Sequence, residues 1–198
     1  MNIFAVSKFH NANTILQNIN QLNVLYKNFK YTLIIPNNED KLFKKFFKSN
    51  FINNINIVLE NSILTKSKFR EIYYQLLDYY RIKSDDNDLF ENIGWYYQQA
   101  LKISFAILHG SKSNLVMIDA DTILLKSLQF FDNKNSIVYL TPYERNIPYK
   151  EISELIYNVK FKNWISATSQ LFSTTPEEIS FLLESFNKFE LKKKDELL

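Results

Sequence analysis

The sequence has no cysteine and only two glycines, Gly94 and Gly110, among its 198 residues. Without a thiol, the chain cannot form a disulfide framework, a zinc–thiolate site or a cysteine nucleophile. Two glycines this far apart cannot complete a GxGxxG or a GxxxxGKS/T motif, so both common glycine-rich phosphate loops are excluded. A nucleotide site in this chain must therefore bind phosphate without a glycine-rich loop.

The chain also lacks a strong charge of one sign and a long apolar run. Its net charge of +3 is too small to predict nucleic-acid binding. No run approaches the ~18 apolar residues of a membrane span, and the first six residues do not resemble a signal peptide. A hydrophobic content of 46% excludes disorder. We therefore expect a cytoplasmic protein with no nucleic-acid partner.

Short strand-like segments alternate with segments of helical periodicity. Strands are predicted over residues 3–6, 31–35, 55–59, 115–118, 137–141 and 167–173. Helices are predicted over residues 15–25, 39–48, 67–81, 94–109 and 147–159, and a last helix is predicted to begin with the Thr175–Glu178 capping box. This alternation predicts an α/β fold with a mostly parallel sheet and helices on both faces. We expect one domain over residues 1–190 and a separate lysine-rich tail over residues 191–198.

Two carboxylates, Asp119 and Asp121, directly follow the apolar run 115–118. Because alternate residues of a strand point to the same side, we expect both carboxylates to converge at the carboxyl end of the sheet. Two hard oxygen ligands suit Mg²⁺ or Mn²⁺. A second D-x-D, formed by Asp86 and Asp88, follows no strand, and we interpret it as solvated surface.

The helix predicted over residues 94–109 carries an unusual polar stripe. Helical spacing places four residues on one face: Trp95, Gln98, Gln99 and Lys102. The adjacent stripe is apolar and is predicted to be core: Tyr97, Leu101, Phe105 and Leu108. A lysine in the polar stripe suits a phosphate group. The alternative is a surface helix whose tryptophan packs locally.

The order Gly-Trp-Tyr-x-Gln-Gln-x-Leu-Lys, an apolar strand and then Asp-Ala-Asp-Thr resembles a family of bacterial glycosyltransferase-like proteins, the DUF6492 group, which is of the GT-A (Rossmann-like) type. The resemblance implies a nucleotide-sugar-binding domain whose D-x-D motif holds a divalent metal against the donor diphosphate. It implies that Asp121 is a metal ligand and that Asp119 faces the metal or the ribose. It also implies that the donor site is lined by Ser7, Trp95, Gln98, Gln99 and Lys102.

The function implied by the resemblance is that of a metal-dependent, hexosyltransferase-like glycosyltransferase. The enzyme would move a sugar from a nucleotide-sugar donor to a cell-surface glycan or a lipid-linked glycan. A bound metal would neutralise the leaving diphosphate as a Lewis acid, without a glycine-rich loop.

The sequence departs from this family in its histidines and in its length. The late histidine that many GT-A enzymes use as a metal ligand is missing, because His10 and His109 both precede the Asp pair. In the segment that follows, Ser169 or Gln170 is predicted to face the site. No catalytic base is identified beyond Glu144, whose alternative is a surface role. Since the chain ends soon after its last predicted helix, we expect a minimal member, a truncated one or one with an incomplete acceptor site.

Two other functions remain open. A haloacid-dehalogenase-type phosphatase would use Asp119 as its nucleophile, although that pattern calls for Thr or Val where Ile123 stands. A non-catalytic donor-binding remnant or subunit would fit the short C-terminal part.

A lysine-rich helix is the last candidate for a function. It alternates apolar side chains with four lysines: Lys41, Lys44, Lys45 and Lys48. A basic amphipathic helix can lie on an anionic membrane, and the lysines at 192–194 would add weak attraction. The favoured interpretation is a helix packed on the sheet with lysines on its outer face. Peripheral contact with the inner face of the membrane is the alternative.

Overall fold

The computed structural model describes residues 1–52, 55–79, 92–110, 112–134, 154, 160 and 171–195. The elements in chain order are β1 (Asn2–Val6), α1 (Ala12–Leu25), β2 (Lys30–Ile35), α2 (Asp40–Ser49), β3 (Ile55–Leu59), α3 (Lys66–Tyr79), α4 (Ile93–Gly110), β4 (Leu115–Ile118), β5 (Leu171–Thr174) and α5 (Pro176–Asp195). The predicted strand 137–141, nearly all of the predicted helix 147–159 and the start of the strand predicted at 167–173 lie outside the described residues. Each described element agrees with its predicted type.

The sheet has the strand order β3-β2-β1-β4-β5. Strands β3, β2, β1 and β4 are parallel, and β5 runs antiparallel to β4. The prediction of a mostly parallel sheet is therefore confirmed. The chain adds β2 and β3 on one side of β1 and β4 on its other side, so the carboxyl ends of β1 and β4 flank a topological switch point. Ligands of open α/β sheets bind at such points.

Both faces of the sheet are covered by helices. Apolar side chains point alternately to the two faces along the central strand β1, of which residues 3–6 are buried. Ile3 and Ala5 of β1 pack in one core cluster with α1 and α2. Phe4 and Val6 pack in a second cluster with α3, α4 and α5. This two-sided burial agrees with the predicted helices on both faces, and each fully buried side chain of this size contributes ~1.5–3 kcal/mol.

The apolar period that predicts helix 67–81 runs through Phe69, Ile72, Tyr73 and Leu76, but only part of it faces the core. The apolar stripe predicted on α4 is likewise wrong in part. On α3 the residues that pack inward are Phe69, Tyr73 and Leu77, while Ile72 and Leu76 are exposed. The reason is that the inner face of α3 is a narrow i, i+4 row, with the Phe69 and Tyr73 rings stacked 5.6 Å apart. On α4, Leu108 is 52% exposed, although Tyr97, Leu101 and Phe105 are buried as predicted.

The lysine-rich helix α2 packs on the sheet, as the favoured interpretation predicts. Phe43 and Phe47 are buried, and all four lysines are exposed. Lys44 forms an ion pair with Asp40 one turn earlier, with Nζ and Oδ2 2.8 Å apart. Within the described part of the chain, no helix is both long enough and apolar enough to cross a membrane.

The C-terminal helix α5 begins at a threonine N-cap and extends into the lysine-rich segment. The Thr175 hydroxyl accepts a hydrogen bond from the Glu178 amide at 3.4 Å, which confirms the predicted N-cap. The helix continues to Asp195. Residues 191–195 are therefore helical where the sequence predicts a separate tail, because the capped helix continues through the lysines, which are good helix formers.

Helix α2 ends in a Schellman motif that has phenylalanine in the left-handed position. The Ile52 amide donates to the Phe47 carbonyl at 3.0 Å, and the Phe51 amide donates to the Lys48 carbonyl at 3.3 Å. Phe51 has φ 56° and its side chain is 89% exposed. Glycine is usual at this position because a Cβ raises the energy of the left-handed conformation.

We expect Phe51→Gly to stabilise the fold by ~1 kcal/mol, because it relieves the left-handed strain and removes no buried contact. Phe51→Ala keeps the Cβ and should leave stability unchanged. Urea denaturation of the two variants measures the difference. Equal stability of the glycine and alanine variants would contradict the argument.

Gly110 lies where α4 meets α5. A Cβ on Gly110 would lie 2.9 Å from Cγ1 of the buried Ile179. A Cβ on Gly94, by contrast, would meet no atom within 4 Å. The two glycines of this chain therefore differ in their packing role.

We expect Gly110→Ala to destabilise the protein by ~1–3 kcal/mol through overpacking against Ile179. Gly94→Ala is the matched control and should be neutral or stabilising by up to ~1 kcal/mol, because alanine is the better helix former. Thermal and urea unfolding would measure both values. Equal changes in the free energy of unfolding for the two substitutions would contradict a packing role for Gly110.

Candidate functional site

The Asp pair lies at the switch point, in a reverse turn that follows β4. The strand ends at Ile118, and the Thr122 amide donates to the Asp119 carbonyl at 2.9 Å. Strand alternation is therefore the wrong basis for placing Asp119 and Asp121, because residues 119–122 turn back. Ala120 is buried in the turn, whereas Asp121 is exposed. Asp121 thus projects a carboxylate toward solvent at the carboxyl edge of the sheet.

Asp119 is held by a buried lysine from α4. The Lys102 Nζ lies 2.5 Å from Asp119 Oδ1, and the lysine residue is only 5% exposed. The Asp119 side chain is 28% exposed, so the pair is only partly screened by water. The contact fixes one carboxylate oxygen and joins helix α4 to the end of β4.

The two glutamines of the polar stripe complete the connection of α4 to the sheet. Gln99 Oε1 accepts a hydrogen bond from Lys102 Nζ at 3.4 Å. Gln98 Nε2 donates to the Val6 carbonyl at the end of β1 at 3.3 Å. Both glutamines are half-buried. Three residues of the stripe predicted from helical spacing therefore contact the ends of β1 and β4 or one another, and of these Lys102 is buried.

A pocket of about 520 Å³ opens at the carboxyl ends of β1, β2 and β3, beside the contact between Gln98 and Val6. This size falls within the range of small-molecule sites. Ser7, Trp95 and Gln98, all predicted from the sequence, line the pocket. Four of the predicted site residues do not line it: Gln99, Lys102, Asp119 and Asp121. Ser7 is buried, and its amide donates to the Ile34 carbonyl at 3.0 Å. Trp95 is 48% exposed and stands edge-on to Tyr96, with ring centroids 5.1 Å apart.

The charged groups of the pocket wall are mainly basic. Lys8, His10, Lys66 and Arg70 line it, together with a single carboxylate, Glu60. Lys66 Nζ lies 3.1 Å from Glu60 Oε1. Neither Lys8 nor Arg70 forms an ion pair with any residue that the structure describes. These two cations are therefore available to an anionic ligand.

Tyr97 closes the apolar side of the pocket. Its hydroxyl donates to the Leu64 carbonyl at 2.7 Å, and Lys66 Nζ lies 5.7 Å from the centre of its ring. Burial, and secondly the negative charge of Glu60, raise the pKa of the Tyr97 phenol far above its ordinary value. Tyr97 is therefore a neutral hydrogen-bond donor at all physiological pH values.

The donor set at the turn fits a divalent metal that is completed by substrate. Within the described ranges, no group of three or more acidic, histidine or cysteine side chains forms a preassembled metal site. Asp121 and the second oxygen of Asp119 offer hard oxygen ligands, and one oxygen of Asp119 is already held by Lys102. Mg²⁺ and Mn²⁺ use few protein carboxylates when phosphate oxygens supply further ligands. The residues present fit such an ion.

Three of the residues proposed from the sequence cannot be placed, because Glu144, Ser169 and Gln170 lie outside the described residues. Conversely, two residues that line the pocket, Glu60 and Arg70, are not predicted as site residues from the sequence. Glu60 directly follows β3, as Asp119 follows β4. The same strand-end argument that selects Asp119 would therefore have found Glu60.

We expect the Lys102–Asp119 contact to be energetically coupled, because each single substitution leaves a charge unpaired. Asp119→Asn should destabilise the fold by ~1–3 kcal/mol, and adding Lys102→Met should recover much of this loss. Urea unfolding of the double-mutant cycle measures the coupling. The exposed Lys68–Glu71 pair, 2.9 Å apart, is the control and should couple by less than ~0.5 kcal/mol. Additive effects at Lys102 and Asp119 would contradict the expectation.

No protein-family model and no curated protein matches the chain, so its membership of the DUF6492 group stays a prediction. The solved structure of PaToxG glycosyltransferase is similar at a TM-score of 0.34 and 14% identity, covering 63% of this chain and 43% of that one. An active-site mutant of LgtC is similar at a TM-score of 0.47 and 8% identity, covering 94% of this chain and 65% of that one. The chain thus spans less than two thirds of either structure. The first is named a glycosyltransferase, and at TM-scores below 0.5 neither likeness supports a function for this chain.

Proposed function

We propose that this chain is a metal-dependent glycosyltransferase of the GT-A type. The observation that carries the proposal is the placement of Asp119 and Asp121 after β4, at the same carboxyl edge of the sheet as a pocket of about 520 Å³ whose charged lining is mainly basic. Neither carboxylate lines the pocket itself. A nucleotide sugar has an anionic diphosphate between two neutral parts, and a site of this kind offers a matching group for each part.

The pocket at the ends of β1 to β3 receives the nucleoside in this proposal. Its wall combines the aromatic rings of Phe69 and Trp95 with hydrogen-bonding groups, as a flat base on a ribose requires. Lys8 and Arg70 attract the diphosphate, since neither is neutralised by a described residue. The sugar then lies toward the turn at residues 119–122.

The carboxylate of Asp121 holds the divalent ion, Mn²⁺ or Mg²⁺, with Asp119 as a second ligand. The ion supplies Lewis-acid stabilisation of the charge that develops on the leaving diphosphate. Lys102 fixes one oxygen of Asp119 in position, so that this carboxylate is preorganised before the donor binds. Gln98 holds α4 against the end of β1, and Gln99 accepts a hydrogen bond from Lys102 within the same helix.

The acceptor side of the reaction is assigned from chemistry alone. A cell-surface or lipid-linked glycan presents the hydroxyl nucleophile that glycosyl transfer requires, and a carboxylate such as Glu144 would remove its proton if the reaction inverts. Peripheral contact with a membrane would bring a lipid-linked acceptor within reach. These assignments stay predictions.

We expect nucleoside diphosphates and nucleotide sugars to raise the melting temperature only when Mn²⁺ or Mg²⁺ is present. Asp121→Asn should abolish the metal-dependent part of the shift, because it removes the carboxylate charge that holds the ion. The control is Asp78→Asn, an exposed carboxylate of α3 outside the pocket, which should behave as the wild type. Melting curves with and without EDTA measure the effect.

The outcomes separate the alternative functions. The absence of any metal-dependent shift across UDP, GDP, CDP and ADP ligands contradicts the proposal. Phosphatase turnover that is lost in Asp119→Asn would favour the dehalogenase-type mechanism. Metal-dependent binding without transfer or donor hydrolysis would favour a non-catalytic donor-binding subunit.

A further inference from the structure

Glu60 is a buried carboxylate on the wall of the pocket. It directly follows β3, and its residue is 7% exposed. The amides of Ile63 and Leu64 both donate to the Glu60 carbonyl, at 3.0 and 2.9 Å, so the backbone of this short turn is fixed. The carboxylate thus has a defined position at the same edge of the sheet as Ser7 and Asp119.

The hydrogen bonding of this carboxylate is incomplete. Lys66 Nζ lies 3.1 Å from Oε1. The second oxygen, Oε2, has no hydrogen-bond partner among the residues that the structure describes. A buried carboxylate needs donors for both oxygens, because its removal from water is otherwise costly. One oxygen of Glu60 is therefore available to a ligand in the pocket.

The chemistry of a carboxylate restricts what this oxygen can bind. An ionised carboxylate only accepts hydrogen bonds, and it repels phosphate. Lys8 and Arg70 are the pocket groups suited to the diphosphate, and the rings of Phe69 and Trp95 suit the flat base. A nucleotide offers two kinds of donor to such an oxygen, the N–H groups of its base and its ribose hydroxyls. The hydroxyls are common to all ribonucleotides, and a carboxylate at a strand end is a known acceptor for the 2′-hydroxyl.

We propose that Glu60 accepts a hydrogen bond from the ribose 2′-hydroxyl and makes the pocket selective for ribonucleotides. The inference rests on the proposed function, because it assumes that the pocket receives a nucleoside. In this arrangement Lys66 holds one carboxylate oxygen and turns the other toward the ribose. Glu60 is then a residue that determines specificity and takes no part in the transfer itself.

Titration calorimetry of the wild-type protein with Mg²⁺ gives a first test that needs no variant. The probes are UDP, GDP, CDP and ADP, each compared with its 2′-deoxy form. We expect the ribose form of whichever nucleotide binds to bind about ten-fold more tightly, as the loss of a charged hydrogen bond predicts.

The variant Glu60→Gln tests the residue itself. Lys66 would take the amide oxygen, leaving an NH₂ group toward the ribose, so the preference for ribose should fall below about three-fold. Affinity for the 2′-deoxy nucleotide should stay unchanged. Glu71→Gln replaces an exposed carboxylate of α3 outside the pocket and should keep the wild-type preference.

Several results would overturn the inference. Equal binding of ribose and 2′-deoxy forms by the wild type refutes it while leaving the proposed function intact. A Glu60→Gln variant that loses affinity equally for both forms assigns a structural role to Glu60. If the variant changes the preferred base but keeps the ribose preference, Glu60 recognises the base. If no nucleotide binds to the wild type, the proposed function fails first, and this inference falls with it.

Discussion

The ion pair between Lys102 and Asp119 is the contact on which the candidate site depends. It joins helix α4 to the end of β4, and with the Gln98 hydrogen bond to the end of β1 it fixes the helix across the topological switch point. A lysine that is 5% exposed would be unstable without an anionic partner. The same contact therefore joins helix and strand at this edge and fixes the position of the first carboxylate of the D-x-D motif.

The scarcity of glycine explains the form of the site. A glycine-rich loop binds phosphate through backbone amides, and this chain has only two glycines, one of which is required by the close packing of α4 on α5. In this chain the negative charge of a bound phosphate must instead be neutralised by side chains and a metal. Lys8, Arg70 and Asp121 are accordingly exposed at one edge of the sheet, while the helices and strands that carry them are buried on their inner faces.

The sequence predicts the α/β architecture and the Asp pair because both depend on local patterns. An apolar run marks β4, and two carboxylates follow it directly. Which side chains of α3 are buried could not be predicted as well. The buried face contains Phe69, Tyr73 and Leu77, and it is set by the elements against which the helix packs, not by the local pattern.

Burial of Lys102 is unexpected for the same reason, because a helical lysine is normally solvated. Its carboxylate partner lies 17 positions later in the chain.

The most direct test of the account is a crystal grown with Mn²⁺ and a nucleoside diphosphate. An anomalous peak at the Asp121 carboxylate, with the nucleoside in the pocket lined by Ser7 and Trp95, is the predicted result. A metal peak elsewhere, or a nucleotide bound away from this pocket, would contradict it.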